Sequence, residues 1–247
     1  MRRAFLALSL SLSLCPLLAL AVAPTMAQTD AAAAKTPHFL PRGALDLTTL
    51  LPAPPAPGSS ETAAEIAELL QLQSARTPAQ AARCIQIEGE DIWLFGSEVL
   101  GAWFSAANLP QTAAFFAQVR EDFIPVNRAA KAVWPRRRPP FADARVTPCV
   151  EFADSGAYPS GHGIQAHMWA GLLTAIFPEQ AAGFERRAQE TLRYKLLSGV
   201  HYASDLRAGR IVGEALAREF LKNPAVQKLI IELRAEAATH RRISVGP

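Results

Sequence analysis

Three short segments in the middle of the chain carry side chains that could bind an oxyanion and move protons. They are residues 131–139, 159–162 and 195–205. Together they hold cationic side chains, a Ser-Gly turn, two histidines and a carboxylate. An anion is bound by fixed positive charge and N–H donors, and proton transfer needs groups that titrate in an accessible pH range. The combination predicts a site that handles a phosphoryl group.

The second segment has the composition of an anion-binding turn. Pro159, Ser160, Gly161 and His162 precede an apolar stripe with helical spacing. A helix N-terminus offers unpaired N–H groups and the positive end of the helix dipole. Glycine lets the backbone approach a ligand, and serine adds a hydroxyl donor. The alternative is a serine that only caps a helix, with an inward histidine that is hydrogen-bonded in the core.

The third segment places a histidine and a carboxylate four residues apart. At this spacing His201 and Asp205 would share one face of a helix. Ala208, Val212 and Leu216 continue that face, so we expect it to point inward. A carboxylate beside an imidazole fixes its tautomer and leaves the other ring nitrogen free to attack. The pattern predicts a nucleophile with its orienting group, or a structural His-Asp pair that joins helices.

The cations of the first and third segments are less specific. Arg138 is the last of three consecutive arginines, which are usually a solvated basic patch. Lys131 lies seven residues before Arg138. Pro135, between them, and Pro139, directly after Arg138, prevent a regular helix across the segment. Lys195 offers a compact charge, whereas an arginine would grip two phosphate oxygens through its planar fork. The local pattern does not decide which of the arginines would face a ligand.

In order and spacing, these segments resemble the signature of the type-2 phosphatidate phosphatase (PAP2) superfamily. The best match is its secreted branch, the bacterial class A non-specific acid phosphatases. The signature runs Lys, six residues, Arg-Pro; then Pro-Ser-Gly-His; then Ser-Arg, five residues, His, three residues, Asp. The resemblance extends from about Leu50 to the C-terminal helix. One position departs, because Tyr194-Lys195 stands where the family has Ser-Arg.

The resemblance implies an activity and a role for each matching residue. The activity is metal-independent hydrolysis of small phosphomonoesters such as nucleotides, sugar phosphates and aryl phosphates, without a cofactor. His201 would attack phosphorus and form a phosphohistidine, Asp205 would orient it, and His162 would protonate the leaving group and then activate water. The remaining residues of the pattern would hold the phosphate: Lys131, Arg138, Ser160, Gly161 and Lys195. Arg138 is selected because the family spacing falls on it.

Other functions are compatible with the same pattern. Vanadate-dependent haloperoxidases resemble this superfamily in fold and anion pocket, although the chain is short for those enzymes. A catalytically impaired periplasmic phosphate-binding protein would use the same cations to bind phosphate but would not hydrolyse a phosphomonoester. A lipid-phosphate phosphatase is disfavoured, since the longest apolar run after the N-terminal region, residues 168–177, is too short for a membrane span. Bromide oxidation with vanadate and peroxide, and hydrolysis of p-nitrophenyl phosphate, would discriminate among these.

The elements that would position these segments are predicted to be helices. Ser59 or Ser60, Thr77-Pro78 and Asn108 to Pro110 resemble helix starts. Apolar residues at three- and four-residue spacing recur along the chain: Ile66, Leu69 and Leu70; Ala113, Phe116, Val119 and Phe123; Trp169, Leu172, Leu173 and Ile176; Val226, Leu229 and Leu233. No stretch alternates as a half-buried strand would. We predict an all-α, single-domain helical bundle of the type that the resemblance implies.

The N-terminal region predicts export. Arg2 and Arg3 precede an apolar stretch at residues 5–22, and Thr25-Met26-Ala27 offers a cleavage site after Ala27. An uncleaved membrane anchor is the alternative. The chain then divides into a signal peptide at 1–27, a Pro/Ala-rich arm at 28–60 and a helical domain at 61–247. We expect a periplasmic or secreted protein with no stable membrane anchor. A homo-oligomer is compatible with the sequence.

Charge and cysteine content agree with that location. Removal of residues 1–27 lowers the formal net charge from +3 to +1, because the segment holds two arginines and no acid. A chain with so little net charge has no general attraction for nucleic acid or an anionic membrane. Two cysteines remain, Cys84 and Cys149, which predict a disulfide in an oxidising compartment, with two buried thiols as the alternative. Neither has zinc-ligand spacing with the histidines.

Overall fold

The computed structural model describes the backbone of residues 36–244 and the side chains of residues 36–240. The predicted signal peptide, at 1–27, and the first part of the predicted arm lie outside the described residues. The described residues belong to one compact unit. Within them, no helix is both long enough and apolar enough to span a membrane.

The described secondary structure consists of ten α-helices and one 3-10 helix, and no β-strand occurs among these residues. The prediction of an all-α fold is therefore confirmed. The α-helices are α1 Leu47–Leu50, α2 Ser60–Ala75, α3 Pro78–Glu88, α4 Ile92–Leu100, α5 Pro110–Val133, α6 Pro139–Ala142, α7 Gly161–Ile176, α8 Ala181–Leu197, α9 Ala203–Lys222 and α10 Pro224–Ser244, with the 3-10 helix Pro178–Gln180 between α7 and α8.

Short-range signals fix most helix starts. Ser59 caps α2 by accepting a hydrogen bond from the backbone N–H of Thr62. Thr77 and Gln80 form a reciprocal capping box at the start of α3, where Pro78 occupies the first turn. Pro110 begins α5 without a side-chain cap. The caps of α2 and α3 depend on neighbouring residues only, which is why the sequence predicts them. At α5 the first-turn proline is local, but the N–H groups of Gln111 and Thr112 donate to the Glu236 carboxylate of α10.

Helix α7 runs through the middle of the fold and packs most extensively against α9 and α8. Glycines let α7 and α9 come unusually close. A Cβ atom on Gly213 would lie 2.3 Å from the carbonyl oxygen of Ile164, and one on Gly209 would lie 2.6 Å from that of Ser160. The backbone N–H of Ser160 also donates to the carbonyl oxygen of Asp205 at 2.9 Å. The close packing thus brings the N-terminal ends of α7 and α9 together.

The segment before α2 lies against the helices and includes the one-turn helix α1. Phe39, Leu40, Leu47 and Leu51 are buried in the main apolar core. The carboxylate of Asp122, on α5, accepts hydrogen bonds from the backbone N–H groups of residues 38, 39 and 40. These contacts attach the segment to the helical domain through both its side chains and its backbone.

We expect Gly213→Ala to destabilise the protein by about 1–3 kcal/mol, the usual cost of overpacking a core. The new methyl group would meet a backbone carbonyl of α7, which cannot move aside as a flexible side chain can. Urea unfolding followed by circular dichroism would measure the change. Gly89→Ala is a matched control, because a Cβ there would meet nothing within 4 Å and φ is −93°. Equal losses in the two variants would contradict this packing argument.

Candidate active site

The candidate nucleophile lies just outside a helix. His201 precedes Tyr202, the N-cap of α9, and Asp205 is the third residue of that helix. The expectation that both residues share a helix face is therefore wrong, because Gly199 adopts a φ of +83° and the chain turns after α8. The pair still forms: His201 Nδ1 lies 3.3 Å from Asp205 Oδ2, and both side chains are buried.

The surroundings of His201 fix its tautomer. Nη1 of Arg138 lies 3.2 Å from His201 Nε2. A guanidinium can only donate, so Nε2 accepts and Nδ1 carries the proton that it donates to Asp205. Burial, followed by the nearby charges of Arg138 and Lys195, holds the pKa of His201 well below its usual value. The imidazole is neutral, with its Nε2 lone pair directed toward the cationic side of the pocket.

Arg136 holds Asp205 from the other side, a role that the sequence did not predict. Its Nη1 donates to Asp205 Oδ1 at 2.7 Å and its Nη2 donates to Glu65 Oε2 at 2.7 Å. Its guanidinium also lies 3.8 Å from the ring centre of Tyr202. Burial raises the pKa of Asp205, and Arg136 opposes that shift. Arg136 is thus a positioning residue for the carboxylate that orients His201.

The three consecutive arginines have three different environments. Arg137 is exposed, and Arg136 binds the carboxylates described above. Arg138 is buried and is held by the carbonyl oxygens of Ser155, at 2.9 Å, and Val200, at 3.1 Å. Of the three, Arg138 is the one that contacts the candidate nucleophile, which agrees with its selection from the spacing.

The N-terminus of α7 and the C-terminal turn of α5 form another wall of the site. The Ser160 side chain caps α7 by accepting from the N–H of Gly163 at 3.3 Å. Lys131 Nζ donates to the carbonyl oxygens of Gly156, at 2.5 Å, and Pro159, at 3.3 Å. Burial, and then the charge of Arg138, lower the pKa of Lys131 to about 8. The lysine is therefore fixed beside the Pro-Ser-Gly-His turn, and it is charged at mildly acidic pH.

Gly161, the first residue of α7, faces Asn127 of α5. A Cβ atom at Gly161 would lie 3.2 Å from Asn127 Oδ1, closer than most real contacts of that kind. The glycine is thus suited to this position by its lack of a side chain.

The remaining two predicted residues meet at Glu88, the last residue of α3. The Lys195 ammonium is paired with the Glu88 carboxylate, and His162 Nε2 lies 3.2 Å from the Glu88 carbonyl oxygen. Burial lowers the pKa of Lys195 although Glu88 opposes the shift. Burial, and then Lys195, lower the pKa of His162 to about 4. Sequence reasoning missed Glu88, because its contact with the site depends on how α3 packs on α8.

The eight predicted residues are thus linked into one site by contacts among themselves or through a shared neighbour. The site contains a neutral imidazole, three fixed cations, a helix N-terminus and a second histidine. These are groups that can bind an anion and attack its central atom. Among the residues that the structure describes, no group of three or more His, Cys, Asp or Glu side chains is placed to hold a metal ion.

Cys84 and Cys149 are neighbours behind the site. Both are free thiols in the structure, and Cys84 Sγ donates to the carbonyl oxygen of Tyr194 at 3.4 Å. Burial, followed by the interaction with Cys149, raises the pKa of Cys84 to about 12. The two side chains are therefore near neighbours.

Comparison with known proteins gives relatives of one kind. A non-specific acid phosphatase of Salmonella typhi is 30% identical over 162 residues, which cover 64% of this chain and 65% of the relative. A non-specific acid phosphatase of Providencia stuartii is 28% identical over 206 residues, which cover 79% and 82%. The chain is thus similar in sequence to bacterial non-specific acid phosphatases. These relatives agree with the family that the motifs predict.

The match to this family is distant. The aligned part is slightly less than two thirds of the length of the Salmonella typhi relative. No protein-family model matches the chain. Among solved structures, a transmembrane PAP2-type phosphatidylglycerolphosphate phosphatase of Bacillus subtilis is similar with a TM-score of 0.47 and 17% identity, over 69% of this chain and 86% of that chain.

We expect His162 to make the protein less stable as the pH falls. The unfolded histidine binds a proton below about 6.5, whereas the folded one binds it only near 4. Acidification from about pH 6.5 to 4 therefore favours the unfolded state, by up to about 3 kcal/mol from this residue. His162→Gln, which keeps an N–H donor for Glu88, should lose less stability over this range.

Urea unfolding of both proteins at several pH values, in buffer without phosphate, would measure this difference. The two should show the same pH dependence above pH 7.5, where the histidine is neutral in both the folded and the unfolded state. Parallel curves through the whole acidic range would show that His162 titrates normally.

Proposed function

We propose that this protein is an acid phosphatase that hydrolyses small phosphomonoesters through a phosphohistidine on His201. The observation that carries the proposal is the environment of this residue: a neutral imidazole fixed by Asp205 on one nitrogen and faced by Arg138 on the other. Similarity to non-specific acid phosphatases supports the same reaction. Nucleotides, sugar phosphates and aryl phosphates are the proposed substrates.

In the first step the phosphate of the substrate replaces the internal partners of the pocket cations. Arg138 turns from the Nε2 atom of His201 to a phosphate oxygen, which frees the lone pair for attack on phosphorus. As the N–P bond forms, the bond to the leaving oxygen breaks, and His162 gives that oxygen a proton. Asp205 stabilises the positive imidazole that results. Charge that develops on the phosphoryl oxygens is balanced by the pocket: Lys131, Arg138, Lys195, the Ser160 hydroxyl and the Gly161 N–H.

In the second step water replaces the alcohol. His162, now neutral, takes a proton from water as the water oxygen attacks phosphorus, and the N–P bond breaks. Phosphate leaves, His201 is neutral again, and His162 is protonated for the next cycle. In the ligand-free protein the pKa of His162 is about 4. The negative charge of a bound substrate raises that pKa, so that the acid form is populated at mildly acidic pH.

We expect His201→Ala to lower kcat by more than about a thousandfold, as loss of a covalent nucleophile does. The test is a rapid alkaline quench during turnover of labelled p-nitrophenyl phosphate, since a phosphohistidine survives alkali and is lost in acid. Wild-type protein should carry acid-labile label, and the His201→Ala protein none. His162→Ala is the matched control: nitrophenolate leaves with little help from an acid, so this variant should still become labelled and should lose the label slowly.

Turnover of the His201→Ala protein near the wild-type rate, or an equal amount of label on it, would show that another group attacks phosphorus. Failure of wild-type protein to hydrolyse any phosphomonoester while it binds phosphate would instead favour a binding protein.

We also propose that the protein is exported and that Cys84 and Cys149 then form a disulfide. The apolar N-terminal stretch and the proximity of the two thiols support this. The bridge would close a loop of 65 residues, worth about 4 kcal/mol in the chain-entropy account. Protein purified from the periplasm should resist alkylation until it is unfolded and reduced, with a mass about 2 Da below that of the dithiol. Two alkylated cysteines without reduction would contradict the bridge.

A further inference from the structure

The Glu88–Lys195 pair lies inside the proposed phosphate pocket. Lys195 is 1% exposed, and its ammonium is directed at the Glu88 carboxylate. Through its backbone carbonyl, the same glutamate also contacts His162. The pocket therefore contains an anion of its own, next to a phosphate-binding cation and next to the proposed general acid.

The other two cations of the pocket have different hydrogen-bond partners. Lys131 and Arg138 donate to backbone carbonyl oxygens, which are uncharged. A phosphate attracts these cations far more strongly than a carbonyl does, because its oxygens carry formal charge. Lys195 alone among these three cations has a carboxylate partner in contact. For this residue, one anion must be exchanged for another.

The two members of the pair differ in their access to water. The Lys195 side chain is 2% exposed and the Glu88 side chain is 29% exposed. A buried charge that loses its partner is strongly destabilised unless another anion replaces it. Glu88 is the last residue of α3 and its side chain is already partly exposed, so a change of rotamer can turn its carboxylate toward solvent. Displacement of the glutamate by an incoming phosphate is therefore the favoured exchange.

We propose that Glu88 is a specificity-determining residue that competes with phosphate for Lys195 and that disfavours leaving groups with a negative charge. The proposal rests on the proposed function, because it assigns phosphate to the same pocket. The competition weakens phosphate binding and so assists product release. The preference against negatively charged leaving groups follows from the position of Glu88. His162 would face the leaving oxygen, and His162 contacts Glu88. The leaving group would therefore lie beside the displaced carboxylate.

The first test measures binding of inorganic phosphate by titration calorimetry, which needs no turnover. Glu88→Gln keeps a polar group beside Lys195 and removes the charge, so the Kd for phosphate should fall about tenfold. Glu88→Ser should change it in the same direction, which protects the result against an effect of one side chain. Glu90→Gln is the matched control, because the Glu90 carboxylate is bonded to Arg187 and Thr191 instead, and it should leave the Kd within about twofold.

A double-mutant cycle separates competition from general repulsion. In a Lys195→Met background there is no ammonium to compete for, so Glu88→Gln should no longer tighten phosphate binding. An unchanged or higher Kd in the Glu88→Gln protein would overturn the proposal. So would an equal gain in the Lys195→Met background, because the glutamate would then act through its charge alone.

The second test compares two aryl phosphates that differ in charge, 4-carboxyphenyl phosphate and its methyl ester. Wild-type protein should have the higher kcat/KM with the neutral ester, and Glu88→Gln should reduce that preference several-fold. An unchanged preference would overturn the assignment to the leaving group. Absence of turnover with both substrates would count against the proposed function, whereas the phosphate Kd values would still decide the competition.

Discussion

The site depends on the close approach of α7 and α9. Their backbones meet at glycines 163, 209 and 213. Added side chains at 209 and 213 would clash with the backbone at Ser160 and Ile164, and one at 163 would be tightly packed. The approach places the first turn of α7 against the first turn of α9, joined by the hydrogen bond from Ser160 to Asp205. One helix brings an anion-binding N-terminus and the other brings the carboxylate that orients His201. The separation between the first turn of α7 and His201, the proposed phosphate site and the proposed nucleophile, is thus set by helix packing.

Such a concentration of positive charge must be balanced when no ligand is bound. Two helix N-termini, two lysines and an arginine surround His201, and burial lowers the pKa values of both lysines and of the imidazole. Glu88 compensates Lys195 directly. Asp205 and Glu65 both pair with Arg136, so the three groups together carry one negative charge beside His201, and Arg136 is a structural link between the two carboxylates.

The parts of the fold that depend on local sequence could be predicted. Ser59, Thr77 and Pro110 mark helix starts because caps and first-turn prolines act through neighbouring residues. The three motif segments could be placed in one site because their order and spacing match a known signature. The position of His201 outside α9 was not predictable from its spacing to Asp205, since four-residue spacing is equally compatible with a helix and with the turn that precedes one.

Contacts between distant helices could not be predicted. Glu65 lies on α2 and Glu88 on α3, and neither is part of a motif. They reach the site only because those helices pack against its outer side. The one local sign was the spacing of Glu65, which lies four residues before Leu69 and so on the buried face of α2. The family spacing was enough to select Arg138 as the arginine of the site. The contacts of Arg136 with Asp205 and Glu65 were visible only in the three-dimensional structure.

The carbonyl oxygens that hold Lys131 and Arg138 come from the connection between α6 and α7 and from the turn before α9. Every amino acid contributes the same carbonyl group, whatever its side chain. The residues that hold these two cations can therefore be replaced in the course of evolution, provided that the path of the backbone is kept. Relatives can then share the ligand-free arrangement of the two cations while their connecting segments have lost detectable sequence similarity. Only the backbone trace would reveal the correspondence.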